Sequence, residues 1–317
     1  MPLTLEQYAS YLDTRNLSWP VPPVPEPPKA RPHLKALPDI RVVVWNIYGT
    51  LLSISQGELL FEHPQKFVMD LALDKTVQEF KMWGSMTRKP GQPAEYLRQM
   101  YNRILSEQRM APSPGEKFPE MSADKIWEGI IKKLLLKDYQ FDAGFFGSLN
   151  EYSRKVAYFF HASLQGTACY PAAAAALTLV REKGLRQGLL ADAQSFTLVQ
   201  LQRGLSKENS MINLDDLFDP DLRVLSSDYG ARKPSERLYW HFLEKLKNEG
   251  ITPRQVLHIG TRMDLDVIPA RKLGMRTGLF AGDKGSLVAT PEQLKDRALR
   301  PDVLLTELSQ IGKIIGA

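Results

Sequence analysis

The sequence predicts an α/β protein built on a parallel sheet, with a helical insertion after the first strand and a proline-rich segment ahead of it. Three observations carry this. Short β-branched or leucine-rich runs without polar alternation recur along the chain, as in strands buried on both faces. Beyond residue 171 such runs alternate with stretches of helical spacing, which implies right-handed crossovers into one parallel sheet. Between about residues 57 and 165 the strand-like runs stop and apolar residues recur at three- and four-residue spacing.

The elements follow in order. Residues 19 to 38 read WPVPPVPEPPKARPHLKALP. Proline at this density opposes helix and sheet and favours an extended polyproline II path. The segment is either a spacer or arm lying on the body, or a docking motif for a protein partner. Arg41–Trp45 (RVVVW) is the first buried strand, and Gly49 just beyond it suits a tight turn. The insertion holds four or five helices, in FVMDLALDKTVQEFKMW, PAEYLRQMYNRILSEQRM, Ala123–Leu136 and Leu149–Leu164, with SMTRKPGQP and APSPGEKFPEM as loops between them. PAAAAALTLVREKG is a helix with proline in its first turn and Gly184 as its stop. RQGLLA, in the 187–192 region, is a strand. Then come a helix over Ser195–Leu205, a strand over 223–227, a helix over Pro234–Asn248, a strand over 255–259, a helix over Asp264–Leu273 and strands over 275–280 and 302–306. The division is an N-terminal segment of residues 1–40, a Rossmann-like α/β core of 41–57 and 166–317, and a helical insertion of 58–165.

Composition is that of an ordinary globular chain. Of 317 residues 43% are hydrophobic and 24% charged, enough to bury a sizeable core. The net charge of +5 either favours anionic ligands slightly or serves solubility alone. There is no dense basic run and no nucleic-acid motif, so nucleic acid is not expected as a partner. Cys169 is the lone cysteine, which precludes an internal disulfide, suits a reducing compartment and reads as a small apolar filler. Met1–Leu12 lacks an apolar signal core, and no apolar stretch is long enough to span a bilayer. A soluble, cytoplasmic protein without a membrane partner is the expectation.

In a parallel sheet, ligands bind beyond the carboxyl ends of the strands. Those ends read Asn46-Ile47-Tyr48-Gly49-Thr50, Ala191-Asp192-Ala193-Gln194, Ser227-Asp228-Tyr229-Gly230-Ala231-Arg232-Lys233-Pro234 and Gly260-Thr261-Arg262-Met263-Asp264-Leu265-Asp266. Here the chain resembles the haloacid dehalogenase-like (HAD) hydrolase superfamily. The strand plus xxxGTL, the small-residue end of the second strand, RKP opening a helix, and HIG…D followed by PARKLGM match in order across residues 41–317. The resemblance implies that the insertion is the family's cap domain. It also implies phosphoryl-transfer-type chemistry on magnesium. In that family an aspartate ends the first strand and attacks the substrate, and a second acid two positions on protonates the leaving group. A hydroxyl and a lysine hold the phosphate, and acids after the fourth strand hold the metal.

This chain departs from that pattern. The nucleophile position is Asn46, whose amide has no anionic oxygen. The acid/base position is Tyr48, and a phenol of ordinary pKa about 10 is a poor proton shuttle at neutral pH. Ala191 and then Asp192 stand at the phosphate-hydroxyl position, and Thr261 and Arg262 at the first metal acid. Thr50, Lys233, Asp264 and Asp266 keep their places. Magnesium should therefore bind weakly or not at all. Thr50, Lys233 and Arg262 are the candidate ligand-binding groups, with Asp266 and Asp264 as the weak metal acids. Each has a blander alternative: Asn46 satisfying backbone groups, Tyr48 packed with its hydroxyl bonded, Asp264 capping its helix, and Asp192 or Asp266 forming a structural ion pair with the cations. Arg88 and Lys89 either read a substrate anion or face solvent, while His258 and His63 read as structural. Three functions remain open: an impaired HAD-fold protein binding an anionic or phosphorylated ligand or a protein partner, a hydrolase using rearranged carboxylates such as Asp192 and Asp266, and a scaffold acting through the proline-rich arm and cap.

Overall fold

The structure is a computed structural model that describes residues 1–85, 93–110 and 115–316. Arg88 and Lys89 lie outside the described residues. The chain opens with α1 (Leu5–Asp13), a helix absent from the sequence reading, and passes through the proline-rich segment to β1 (Val42–Trp45). After β2 (Leu52–Ser53) come five helices of the insertion, α2 (Lys66–Glu79), α3 (Pro93–Met110), α4 (Ala123–Leu135), α5 (Ala143–Phe146) and α6 (Leu149–Leu164). Then follow β3 (Ala168–Cys169), α7 (Ala173–Glu182), β4 (Arg186–Ala191), α8 (Thr197–Glu208), α9 (Leu214–Leu217), β5 (Arg223–Leu225), α10 (Ser226–Tyr229) and α11 (Glu236–Lys247). The last part holds β6 (Val256–Gly260), α12 (Ile268–Lys272), β7 (Arg276–Phe280), α13 (Pro291–Lys295), β8 (Val303–Leu305) and α14 (Ile311–Ile314).

Six strands form one sheet in the order β5-β4-β1-β6-β7-β8, every pair parallel. β1 is central, with Trp45 opposite Leu189 on one side and Ile259 on the other. Its four residues are all buried because both sheet faces are covered. Val43 and Trp45 pack into the cluster that includes Leu177 and Val180 of α7 and Ile311 of α14. Val42 and Val44 pack toward Tyr239 and Phe242 of α11 and Ala270 of α12. This is the period-2 division expected of an interior strand. β2 and β3 pair antiparallel where the chain leaves the core for the insertion and returns from it. Among the described residues no helix is long and apolar enough to cross a membrane.

The insertion has its own core, which includes Leu73, Tyr101, Trp127, Ile131 and Phe160. α1 completes it. Thr4 and Gln7 form a capping box that starts the helix, and Tyr8, Ala9 and Leu12 bury their side chains among α2 and α6 residues. The proline-rich segment has no regular structure and lies along the body. Trp19 packs edge-on against Phe159 of α6, the Glu26 N–H donates to Asp283 at 3.0 Å, and His33 pairs with Leu304 of β8. Residues 1–40 thus run from the insertion's core to the edge of the sheet.

Replacing Tyr8, fully buried between α1 and the insertion, with alanine should cost about 3 kcal/mol or more in urea unfolding. Its hydroxyl has no hydrogen-bond partner among the described residues, so Tyr8→Phe should leave stability unchanged or raise it. A loss under about 1 kcal/mol for Tyr8→Ala would show that α1 is not part of this core.

Candidate functional site

The carboxyl ends of β1, β4 and β6 meet beneath the insertion in a cavity of about 50 Å³, room for a few waters or a small anionic group. Asn46, Tyr48, Asp192, Lys233, Arg262 and Asp266 all line it. Of the sequence-predicted residues, Thr50 and Asp264 do not. Thr50 is fully buried behind the Gly49 turn, and its hydroxyl has no hydrogen-bond partner among the described residues. That places it in the packing rather than in ligand contact. Asp264 is exposed and accepts from Gln293 at 2.9 Å. The reason is local: the expected helix opens as a π-helical turn over Met263–Val267, which turns Asp266 inward and leaves Asp264 outside. Nor does Asp264 cap that turn, because Arg262 occupies the cap position.

Lys233 is the hub. Its ammonium donates to the Asn46 side-chain oxygen at 2.9 Å and to the Asp266 carboxylate, and all three residues are nearly or wholly out of water. The second Asp266 oxygen accepts the backbone N–H groups of Thr261 and Arg262 at 3.0 and 2.9 Å. Gly260 makes this possible, since a Cβ there would lie 2.2 Å from the Asp266 carboxyl carbon. Burial raises the Asp266 pKa, but the neighbouring Lys233 charge outweighs it, so the carboxyl is held well below its usual range. His258 Nε2 stands 3.8 Å from the same carboxylate, too far for a hydrogen bond, and burial keeps the imidazole neutral by lowering its pKa.

Asn46 is tied at both ends, its oxygen to Lys233 and its amide N–H to the Tyr48 carbonyl at 2.9 Å. The Tyr48 hydroxyl points away from the cavity and donates to Gln200 at 2.5 Å, with Thr197 at 3.0 Å. Burial pushes its pKa up, so it is not a proton donor of the aspartate kind. Asp192 accepts the Lys233 backbone N–H at 2.8 Å, and Arg232 lies 3.8 Å from its other oxygen. Burial nonetheless raises its pKa, against the pull of Lys233 and Arg232. Glu58 sits 3.3 Å from Arg262 and 4.0 Å from Arg232, so both guanidinium groups at the rim share one carboxylate.

Two lining acids escaped the sequence reading, Glu58 and Glu120. Glu120, from the loop before α4, enters the cavity because that loop is clipped to the core. Pro119 pairs with Ala231, Glu120 N–H donates to the Gly230 carbonyl at 3.1 Å and Arg232 N–H to the Phe118 carbonyl at 2.8 Å. Gln194 reinforces the clip through Ala123 N–H and the Met121 carbonyl, both 2.8 Å. Burial, and then the Asp192 charge, push the Glu120 carboxyl up to about 7. Nothing in the local sequence signals this, since an acid between Pro119 and Met121 has no motif.

The donor set does not fit the magnesium ion that the resemblance implies. A near-octahedral ion needs several free oxygens at close range. Asp266 has committed both oxygens to N–H donors, the Asn46 oxygen already accepts from an ammonium, Thr261 offers a neutral hydroxyl and Asp264 faces solvent. Among the described residues no group of three His, Cys, Asp or Glu is arranged to hold a metal. Cys169, in β3, has its thiol pushed up to about 12 by burial, as suits a filler rather than a nucleophile.

The chain has the HAD-like fold. It is similar to a solved 2-haloacid dehalogenase from Pseudomonas syringae pv. Tomato DC3000, with TM-score 0.52 and 16% identity over 86% of this chain and 97% of that one. A HAD phosphatase from Thermococcus onnurineus aligns over 87% of this chain and 98% of its own, with TM-score 0.45 and 18% identity. Among curated proteins, the glyceraldehyde 3-phosphate phosphatase of Pyrococcus furiosus is 27% identical over 146 residues, 46% of this chain. The chain spans about half, 53%, of that relative's length. No family model matches the chain.

Asp266→Asn should cost about 3–5 kcal/mol in urea unfolding, because it strands the Lys233 ammonium out of water. The folded pKa of Asp266 is depressed. Its contribution is therefore present above an unfolded value of about pH 4 and is lost as the pH falls through the lowered one. A cost under about 1 kcal/mol, with unchanged acid stability, would mean the pair carries no such weight.

Proposed function

We propose that this chain is a HAD-fold protein whose cavity binds a small phosphorylated or carboxylated ligand and does not hydrolyse it by the covalent aspartyl route. The observation that carries this reading is the state of Asn46. A carboxamide stands at the attacking position, with its oxygen already accepting from Lys233 and its nitrogen donating to the backbone. It has no charge to direct at phosphorus and no neighbouring base to create one. Tyr48, two residues on, turns its hydroxyl into α8.

What remains is suited to holding an anion. Lys233 has three N–H donors and spends two of them on Asn46 and Asp266. Arg232 and Arg262 stand at the rim and share the Glu58 carboxylate, with Asp192 also 3.8 Å from Arg232. Planar guanidinium groups match phosphate and carboxylate oxygens in pairs. A three-carbon sugar phosphate, the substrate class named for the Pyrococcus relative, is a reasonable first ligand to try.

A second reading draws on the two raised carboxyls. Burial raises both, the Asp192 charge raises Glu120 further, and Glu120 is brought to about 7. Together they would activate a water on a bound ester. Asp266 does not serve that role, because its oxygens are taken by Lys233 and two backbone N–H groups.

Two measurements bear on these readings. Magnesium-dependent hydrolysis of p-nitrophenyl phosphate by the unmodified protein should stay at the background rate. Sustained turnover that Asp192→Asn abolishes would favour the second reading over the first. Sulfate keeps its charge between pH 6 and 8, so any change in its binding over that range comes from groups of the protein. Its affinity, by calorimetry, should fall as the pH rises through about 7, where Glu120 becomes anionic. The drop should be about tenfold for each unit by which bound sulfate raises the Glu120 pKa. Glu120→Gln should flatten the profile, and a flat profile in the unmodified protein would remove Glu120 from the ligand's surroundings.

A further inference from the structure

We infer that a second site, a basic groove at the opposite end of the sheet from the Asn46 cavity, binds the phosphodiester backbone of a nucleic acid. The groove follows the amino ends of β6, β7 and β8. One hollow of about 470 Å³ is lined by Arg254, Arg271, Lys272 and Arg276. It shares Arg271 and Asp302 with a second, of about 400 Å³, lined by Lys35, Arg297 and Arg300. No residue of either hollow lines the Asn46 cavity.

The charge is concentrated to an unusual degree. Seven Lys and Arg stand against one Asp in these hollows, a net six positive charges, while the entire chain carries +5. The rest of the molecule is therefore close to neutral, and the basic character of the protein resides here. The cations come from four separate stretches, which is why no basic run appears in the sequence. Arg271 and Arg276 are anchored, 3.6 and 3.1 Å from Asp302, with Arg271 also donating to the Ala298 and Arg297 carbonyls. Arg254, Lys272, Arg297, Arg300 and Lys35 are exposed and have no ion-pair partner among the described residues. Two fixed arginines thus shape a groove whose other five cations are free to meet an external anion.

The chemistry favours a phosphate chain. Five of the seven cations are arginine, whose fork matches phosphate oxygens. Between them the lining includes Ile268, Met275, Leu299 and Pro301, with no Phe, Tyr or Trp on which a base would stack. Recognition would run through the backbone, without sequence preference, and would be strongly salt-dependent. The groove is concave and continuous through Arg271. A flexible strand follows such a surface, whereas a bilayer meets a flat or convex one.

The test titrates the full-length protein into fluorescein-labelled 20-nucleotide single strands of mixed sequence, RNA and DNA in parallel, read by anisotropy. Binding is expected at 50 mM KCl and should weaken about 50-fold at 200 mM if about four phosphates are engaged. The variant Arg254→Ala/Lys272→Ala/Arg297→Ala/Arg300→Ala, all at exposed positions, should lose about tenfold or more at 50 mM, with an unchanged circular-dichroism spectrum. A charge-matched variant away from the groove, Lys117→Ala/Lys125→Ala/Lys207→Ala/Lys247→Ala, should stay within about twofold. Equal binding of RNA and DNA would support backbone recognition, and so would a preference for one that is lost only in the groove variant. No binding at 50 mM, or equal losses in the two variants, would overturn the assignment. So would tighter capture by phosphatidylserine-containing vesicles that depends on the same four residues, which would give the groove to a lipid surface.

Discussion

An ammonium and a carboxylate, both almost wholly withdrawn from water, meet where β1 and β6 end, and the rest of the site is arranged around them. Lys233 and Asp266 each carry a large desolvation cost, which mutual attraction offsets only when their remaining hydrogen-bonding capacity is filled. Here it is largely filled. Asp266 takes two backbone N–H groups from the loop after β6, and Lys233 takes the Asn46 oxygen from the tip of β1. The contact therefore joins three segments distant in sequence, and Gly260 is the residue whose missing side chain lets the carboxylate approach.

The neutrality of residue 46 follows through the whole cavity. A carboxylate there would have set two anions against one lysine, and a divalent cation would have had charge to balance. With Asn46, the Lys233 charge is already matched by Asp266, and the rim arginines are matched by Glu58 and Asp192. Burial raises the pKa of two carboxyls of the cavity, Asp192 and Glu120. The pocket is thus organised by direct pairing and backbone donors. On the proposed anion-binding reading, an arriving anion gains from the protonation of Glu120.

Much of this architecture was readable from residue pattern, because the period of the buried residues declares itself. VVVW at β1, the alternation after residue 171 and the boundaries of α6 all follow from runs long enough to show their spacing. Where the reading failed, the controlling contact was not local. β2 and β3 have two residues each, too few to show any period. α1 is nine residues long, and its start signal, Thr4 and Gln7 at capping-box spacing, stands shortly before a proline-rich stretch that opposes helix. The sequence favours Asp266 over Asp264 as the site acid, and the π-helical turn is what faces Asp266 inward. Glu120 arrives through backbone pairing between an insertion loop and residues 230–232, and the cations of the basic groove are likewise brought together only by the ends of three strands.

On the proposed reading, a carboxamide held by Lys233 does not take up a phosphoryl group. Intact-protein mass spectrometry with peptide mapping, after incubation with magnesium and acetyl phosphate as a reactive phosphoryl donor, addresses this without reliance on turnover. The expected result is an unmodified protein with asparagine intact at position 46. A phosphoryl adduct mapped to residue 46, or aspartate found there in the purified protein, would contradict it.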